Sequence, residues 1–239
     1  MNYTLFLGST DISDLLIYLS KFLQTAGKRV LLADASAEGF IRYNTPILHT
    51  GTGVSEYDQF DIGYQFTDFQ SMKEQLEITQ AYDHTIVFCS TPDFIGEKDW
   101  EEFDQRFIAI SSERRSLEKT AELLEDMLGQ REEHLPRIGF VRLFVQQVDN
   151  GLAEDYLEQL LCNLPLRFEE QSFIVPFDEM DYMQKIMNQN SSSISIKRIS
   201  REFRTVIQEI AGSVSQLNHS ELKVYAKKLS RRSQPVWGM

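Results

Sequence analysis

The chain has 239 residues, 42% hydrophobic and 25% charged, a composition that excludes disorder and collagen-like repetition. Its net charge is −12, from 24 Lys and Arg against 36 Asp and Glu, and that field opposes nucleic acid and anionic membranes unless a local basic patch overrides it. No apolar run approaches the roughly 20 residues that cross a bilayer, and the opening MNYTLFLGSTD lacks the basic start of a signal peptide, so a cytoplasmic protein is expected. Cys89 and Cys162 lie far apart in apolar stretches and read as buried small side chains, not as a disulfide or thiolate metal site.

In chain order, Tyr3 to Gly8 is a run of strand formers, and Asp11 to Ala26 repeats Ile12, Leu15, Leu16, Leu19 and Leu23 at helical spacing. Gly27 and Lys28 close that helix, and Arg29 to Asp34 follows as a continuous apolar strand of the kind buried in parallel sheets. Residues 36–66, with Gly51 and Gly53, predict irregular chain with short strands. A helix is expected over Phe69 to Ala81, then a strand over His84 to Cys89 ending at Ser90, Thr91 and Pro92. The alternation continues with strand Arg106 to Ser111, helix Ser116 to Leu128, strand Arg137 to Val145, helix Leu152 to Leu161, a short strand Phe173 to Val175 and a helix Ile199 to Ala211. Asn188 to Ser193 reads as a surface loop.

Strands alternating with helices of about 10 to 15 residues predict an α/β fold, doubly wound around a mainly parallel sheet with helices on both faces, its ligand crevice beyond the carboxyl ends of the strands. The charge divides the chain further: residues 213–239 carry +4 and the rest −16. The expected organisation is therefore an α/β domain over 1–212 and a short basic C-terminal tail over 213–239.

The order strand, loop, helix, GKRVLLADAS resembles the start of the MinD/ParA family of P-loop ATPases. Ala81 to Pro92 resembles the family's Walker B strand, and Phe173 to Asp178 with the following helix resembles its late IPYD segment. The resemblance spans roughly residues 3 to 212. It implies an ATP site between two subunits, and it sets Leu7 at the family's signature lysine, Gly8 and Ser9 at the glycine pair, Thr10 next, Asp11 at the third glycine, Ile12 at the phosphate-binding lysine and Ser13 at the magnesium hydroxyl.

The chain departs from the family at those positions. A phosphate loop works because small residues let backbone N–H groups surround the phosphates while lysine neutralises them. Both lysines are absent, and Asp11 and Asp14 bring negative charge. At an effective dielectric of about 20, two like charges roughly 4 Å apart repel by about 4 kcal/mol. Asp11 reads better as a helix cap, with Ser13 and Asp14 in the first turn. Asp34 keeps the first acid of the second-strand motif, the second position is Ser36, and the Walker B position falls at Phe88 or Cys89, which cannot hold hydrated magnesium. No catalytic residue and no cofactor are expected.

Other chemistry is thinly represented. His49, His84, His134 and His219 are scattered without metal-ligand spacing, so no metal is expected. Ser90 and Ser111 lack a G-x-S-x-G elbow, and the acid clusters 97–104 and 113–125 read as solvated helix faces.

In the tail, Leu222, Tyr225 and Leu229 recur at helical spacing, Lys223, Lys227, Lys228, Arg231 and Arg232 lie on other faces, and Trp237 follows Pro235. Proteins of the MinD type carry such a basic amphipathic segment for membrane attachment. A last helix docked on its own domain is the alternative, and nucleic-acid binding is not expected.

The resemblance implies a non-catalytic scaffold or localisation factor, a homodimer, acting on a cell-envelope machine. The divergent CpaE/TadZ type, associated with Tad pilus or secretion assembly, is its nearest branch. Placement of flagella and bacterial cellulose synthesis remain alternatives. So does a nonstandard ATP-binding switch using backbone amides with Lys28 or Arg42, and so does a membrane adaptor located by its tail.

Overall fold

The computed structural model describes residues 2–46, 53–79, 82–132, 134–148 and 152–232. Eight strands form one sheet in the order β3-β4-β2-β5-β1-β6-β7-β8. The strands are β1 Asn2–Leu7, β2 Val30–Ala35, β3 Gly53–Tyr57, β4 Phe60–Tyr64, β5 His84–Cys89, β6 Gln105–Ser111, β7 Ile138–Gln147 and β8 Leu166–Pro176. Every pairing is parallel except β3 with β4.

The central strands are apolar at almost every position because both faces of the sheet are covered. On one face lie α1 (Ser13–Thr25), α7 (Arg201–Ser215) and α8 (His219–Arg232), closing over Phe6, Leu32, Phe107 and Phe173. Phe6 and Phe107 stack there at 4.5 Å between centroids. On the other face α3 (Phe69–Thr79), α4 (Arg114–Leu128) and α5 (Leu152–Leu161) close over Leu5, Leu7, Ile108 and Phe140. The short α2 (Phe40–Tyr43) follows β2, and α6 (Glu179–Gln189) follows β8. This is the doubly wound α/β architecture that the alternation predicts. No helix among the described residues is long and apolar enough to cross a membrane.

Several expectations change. The surface loop expected over Asn188 to Ser193 begins inside α6, which runs to Gln189 with Asn188 buried. The stretch expected to be irregular contains α2 and the β3–β4 hairpin. The hairpin turns at Asp58 and Gln59, both at positive φ without being glycine; Lys21 Nζ donates to Asp58 Oδ1 at 2.9 Å and the Ile194 N–H to Asp58 Oδ2 at 2.8 Å, bonds that hold the turn. The last strand covers eleven residues instead of three, because an edge strand exposes Glu170, Gln171 and Ser172 and so lacks an apolar run. Cys89 is buried, its thiol pushed up to about 12 by that burial, but Cys162 is exposed, just past the end of α5.

The expected division between residues 212 and 213 falls inside α7. Beyond it α8 packs on α1 and α7, with Leu222 and Leu229 buried in the main core and Tyr225 against it. Gly212 permits this approach, since a Cβ there would lie 2.9 Å from Leu222 Cδ1.

Candidate functional site

The carboxyl ends of β1, β2 and β5 meet at one edge of the sheet, where the crevice of a doubly wound fold opens. Between β1 and α1 runs the loop Gly8 to Ile12. Gly8 is required by the packing of the sheet: it has φ +154, and a Cβ would stand 2.1 Å from the Ala109 carbonyl oxygen on β6. Its N–H donates to the Cys89 carbonyl at 3.3 Å. The next two residues are tied to α4. The Ser9 N–H donates to Thr120 Oγ1 at 3.2 Å, Ser9 Oγ to the Ser116 carbonyl at 3.3 Å, and the Thr10 and Ser116 hydroxyls bond directly.

Asp11 governs the start of α1. Ile12 stands at the cap position and its side chain forms no cap bond. Asp11 Oδ1, one residue earlier, accepts the Ser13 N–H at 2.9 Å and Ser13 Oγ at 2.6 Å. Asp11 Oδ2 faces the other way and accepts Lys185 Nζ at 2.7 Å and Asn44 Nδ2 at 3.2 Å. Lys185 also stands 3.6 Å from Asp14 Oδ1. Asn44 Nδ2 donates to Ser13 Oγ at 2.8 Å, and Gln189 Nε2 to Asn44 Oδ1. Ser13 is fully buried, so its hydroxyl is enclosed by these partners. Ile12 is 1% exposed and belongs to the apolar core.

One lysine faces two carboxylates here. Burial works to raise the Asp11 carboxyl, but the Lys185 charge and the Ser13 bonds outweigh it and hold its pKa below the ordinary value. Burial raises the Asp14 pKa, with Lys185 opposing only in part. Burial alone would lower the Lys185 pKa, yet Asp14 and Asp11 together keep it raised. The N-terminus of α1 is thus faced by a carboxylate whose own counter-ion comes from α6.

Asp34, at the end of β2, has a separate task. Oδ1 accepts the Ser36 N–H at 3.1 Å, and Oδ2 accepts the N–H groups of Ile41 at 3.0 Å and Arg42 at 2.9 Å. Burial raises its pKa against these bonds. Beside it lies a cavity of about 240 Å³ bounded by Arg42, Tyr43, Tyr64 and Thr67. The Arg42 guanidinium carbon is 5.6 Å from the Tyr43 ring centroid and 5.7 Å from that of Tyr64. Lys28 lies before β2 at the other end of α1 and does not approach the loop.

The loop residues Gly8 to Ser13 and Asp34 therefore share one edge of the sheet, and α2 links them: its Ile41 and Arg42 N–H groups bond Asp34, and Asn44 just beyond it bonds Asp11 and Ser13. Phe88 and Cys89 are fully buried. Sequence reasoning missed Lys185, Asn44 and Gln189. The available signal was the spacing of Asp181, Gln184, Lys185 and Asn188, which repeats every three or four residues and places four polar groups on one helix face.

His84 is buried, His134 and His219 are exposed, and His49 lies outside the described residues. No cluster of three or more His, Cys, Asp or Glu able to hold a metal occurs among the described residues. In the tail, Lys223 and Lys227 point to solvent and Lys228 Nζ donates to the Thr25 carbonyl at 3.4 Å. Arg231 and Arg232 belong to α8, but their side chains, like Trp237, lie outside the described residues.

No protein-family model matches the sequence, and no curated protein is similar to it at a significant level. Solved structures are similar in fold. A ParA family ATPase from Chlorobium tepidum has a TM-score of 0.59 at 14% identity, over 88% of this chain and 98% of that one. A plasmid partition protein from Borrelia burgdorferi bound to AMPPNP has a TM-score of 0.55 at 14% identity, over 95% and 99%. The MinC:MinD cell division complex of Aquifex aeolicus has a TM-score of 0.50 at 11% identity, over 99% and 98%.

Proposed function

We propose that this chain, built on a ParA/MinD-type fold, is a non-catalytic scaffold or localisation factor that works through protein contacts. The observation that carries the reading is the Asp11 carboxylate at the N-terminus of α1, with Lys185 as its internal counter-ion. A magnesium-bound triphosphate fits this donor set poorly. A phosphate at the helix N-terminus would meet the Asp11 charge and displace the Lys185 pair, Ile12 supplies no cation, and both Asp34 oxygens are already bonded to backbone N–H groups. The hydrolytic apparatus of phosphoryl transfer has no counterpart at these positions.

The role assigned is a homodimeric factor in the cytoplasm, positioning components of a cell-envelope machine such as a Tad-type pilus or secretion system, in the manner of the CpaE/TadZ branch. The MinD chain similar to this one was solved with a protein partner, MinC, which supports action by protein contact. The exposed Lys223 and Lys227 of α8 suit peripheral contact with an anionic surface, while its buried Leu222 and Leu229 argue against insertion of that face into lipid.

A second reading, a nonstandard ATP-binding switch, is favoured by the AMPPNP-bound partition protein among the similar folds and by the cavity beside Arg42. Calorimetric titration of the full chain with ATP and magnesium separates the two. The scaffold reading expects no binding heat. Binding at micromolar ATP overturns it in favour of the switch.

A further inference from the structure

Helix α6 is amphipathic the wrong way round. Its buried positions are Asp181, Gln184, Lys185 and Asn188, all polar, whereas Met180, Tyr182, Met183, Ile186 and Met187 are between 42% and 55% exposed. At 3.6 residues per turn the exposed apolar side chains cover an arc of about 160° opposite the polar face. The inner face is satisfied by specific partners: Lys185 by Asp11, Asp181 by the Ser200 hydroxyl at 2.7 Å, and Asn188 by the Tyr18 hydroxyl at 3.0 Å. The orientation is therefore held by the domain's own hydrogen bonds, and the apolar face is left in water.

We propose that this face is a homodimer interface in which α6 packs antiparallel against α6 of a second copy. With Phe177, which borders the same cavity as Tyr182, the exposed apolar side chains present on the order of 600 Å², at the upper end of the largest patch a monomer carries and most of the about 800 Å² per partner of a stable interface. The ends of the face are self-complementary in charge. Glu179 stands exposed at the amino end, and the exposed Arg198 lies at the carboxyl end, its Nη1 3.9 Å from Met187 Sδ. A two-fold axis through the middle of α6 sets Glu179 of each copy against Arg198 of the other and opposes the helix dipoles. Parallel pairing would set like charges together. The three methionines adapt their shape to a second copy of the same surface. The interface supplies the contact surface that the scaffold reading calls for, but it requires nothing of the nucleotide site.

Sedimentation velocity of the full chain over a dilution series, without nucleotide, tests it. The expected result is a dimer whose dissociation constant rises at least about tenfold in Met183→Glu, with circular dichroism and thermal midpoint unchanged. Glu179→Arg and Arg198→Glu, both at exposed positions, each weaken the dimer, and the two combined restore it. A wild-type monomer at every concentration overturns the proposal; so does a dimer indifferent to Met183→Glu, or a charge swap without recovery. Binding of the wild type to phosphatidylcholine vesicles in place of self-association also overturns it. These outcomes leave the ATP titration unaffected: a wild-type monomer removes the interface and the homodimeric part of the assigned role, whereas only the titration decides the non-catalytic reading.

Discussion

Lys185 Nζ lies 2.7 Å from Asp11 Oδ2 and 3.6 Å from Asp14 Oδ1, so α6 supplies the only cation bonded to the loop that opens α1 among the described residues. The pair joins two segments 174 residues apart in sequence. It makes the start of α1 an internal junction between the loop and α6.

Replacing Lys185 by Met leaves two carboxylates facing each other without a counter-ion. Because Asp11 retains some exposure, the expected loss is about 3 kcal/mol, at the low end for a broken buried pair. Urea unfolding at neutral pH measures it, and Asp11→Asn in the same background recovers part of the loss. The Asp11 pKa is lower in the folded chain than in the unfolded one. Its contribution is therefore present above the ordinary carboxylate pKa and disappears as pH falls through the folded value. Lys185→Met removes that part of the acid slope.

Ile12→Lys puts a lysine at the position that the resemblance to MinD/ParA proteins assigns to their phosphate-binding lysine. Ile12 is 1% exposed within the main apolar core, so the ammonium is buried among apolar groups. The expected result is a lower melting temperature, by the equivalent of about 3 kcal/mol, without gain of ATP binding by calorimetry. A stable variant that binds ATP would show the loop to be more open than its bonds imply.

Gly8→Ala should fold poorly or not at all. The new Cβ would meet the Ala109 carbonyl oxygen at 2.1 Å, which neither strand can relieve without breaking the β1–β6 register Leu7↔Ile108. Soluble yield and thermal melting check this, and addition of ATP is expected to rescue neither.

His84 is buried at the start of β5, and burial, reinforced by the Lys28 charge, lowers its pKa, with Asp83 and Asp104 opposing. The unfolded chain therefore takes up the proton more readily than the folded one. Stability attached to the neutral ring is complete above the ordinary histidine value of about 6.5 and falls as pH drops below it. Denaturant titrations between neutral and mildly acidic pH should show a shallower slope in His84→Phe than in wild type.

Leu229→Ala should cost about 2 to 3 kcal/mol by opening a cavity between α8 and α1, whereas Lys223→Glu on the outer side of the same helix should change stability by less than about 0.5 kcal/mol. Equal effects of the two would mean that α8 is not docked on the body. Thermal denaturation of both variants decides it.

The βαβ units were legible because their signals are local and redundant. The run Tyr3 to Gly8, the periodicity from Ile12 to Leu23 and the strand before Asp34 each specify their element without distant help, and the alternation implies the layers. The β3–β4 hairpin was illegible because its turn is Asp58-Gln59 and not a glycine dipeptide; Lys21 and Ile194 from distant elements hold it. The length of β8 was hidden because an edge strand need not be apolar. Asp11 was legible as a helix-start residue, as its bonds to Ser13 bear out, but its bond to Lys185 was not, since no local rule links residues 11 and 185.

The apolar pattern along the chain settles the α/β class, and the sequence by itself places Gly8, Asp11, Ile12 and Asp14, with no lysine among residues 8–14, between β1 and the first turn of α1. Periodicity, however, records only that a helix has two faces. For α6 the usual assumption turns the methionines inward; in the folded chain the bonds of Asp181, Lys185 and Asn188 to Ser200, Asp11 and Tyr18 turn them outward. Which face is buried depends on partners brought together from three other parts of the chain, and that is a property of the assembled fold.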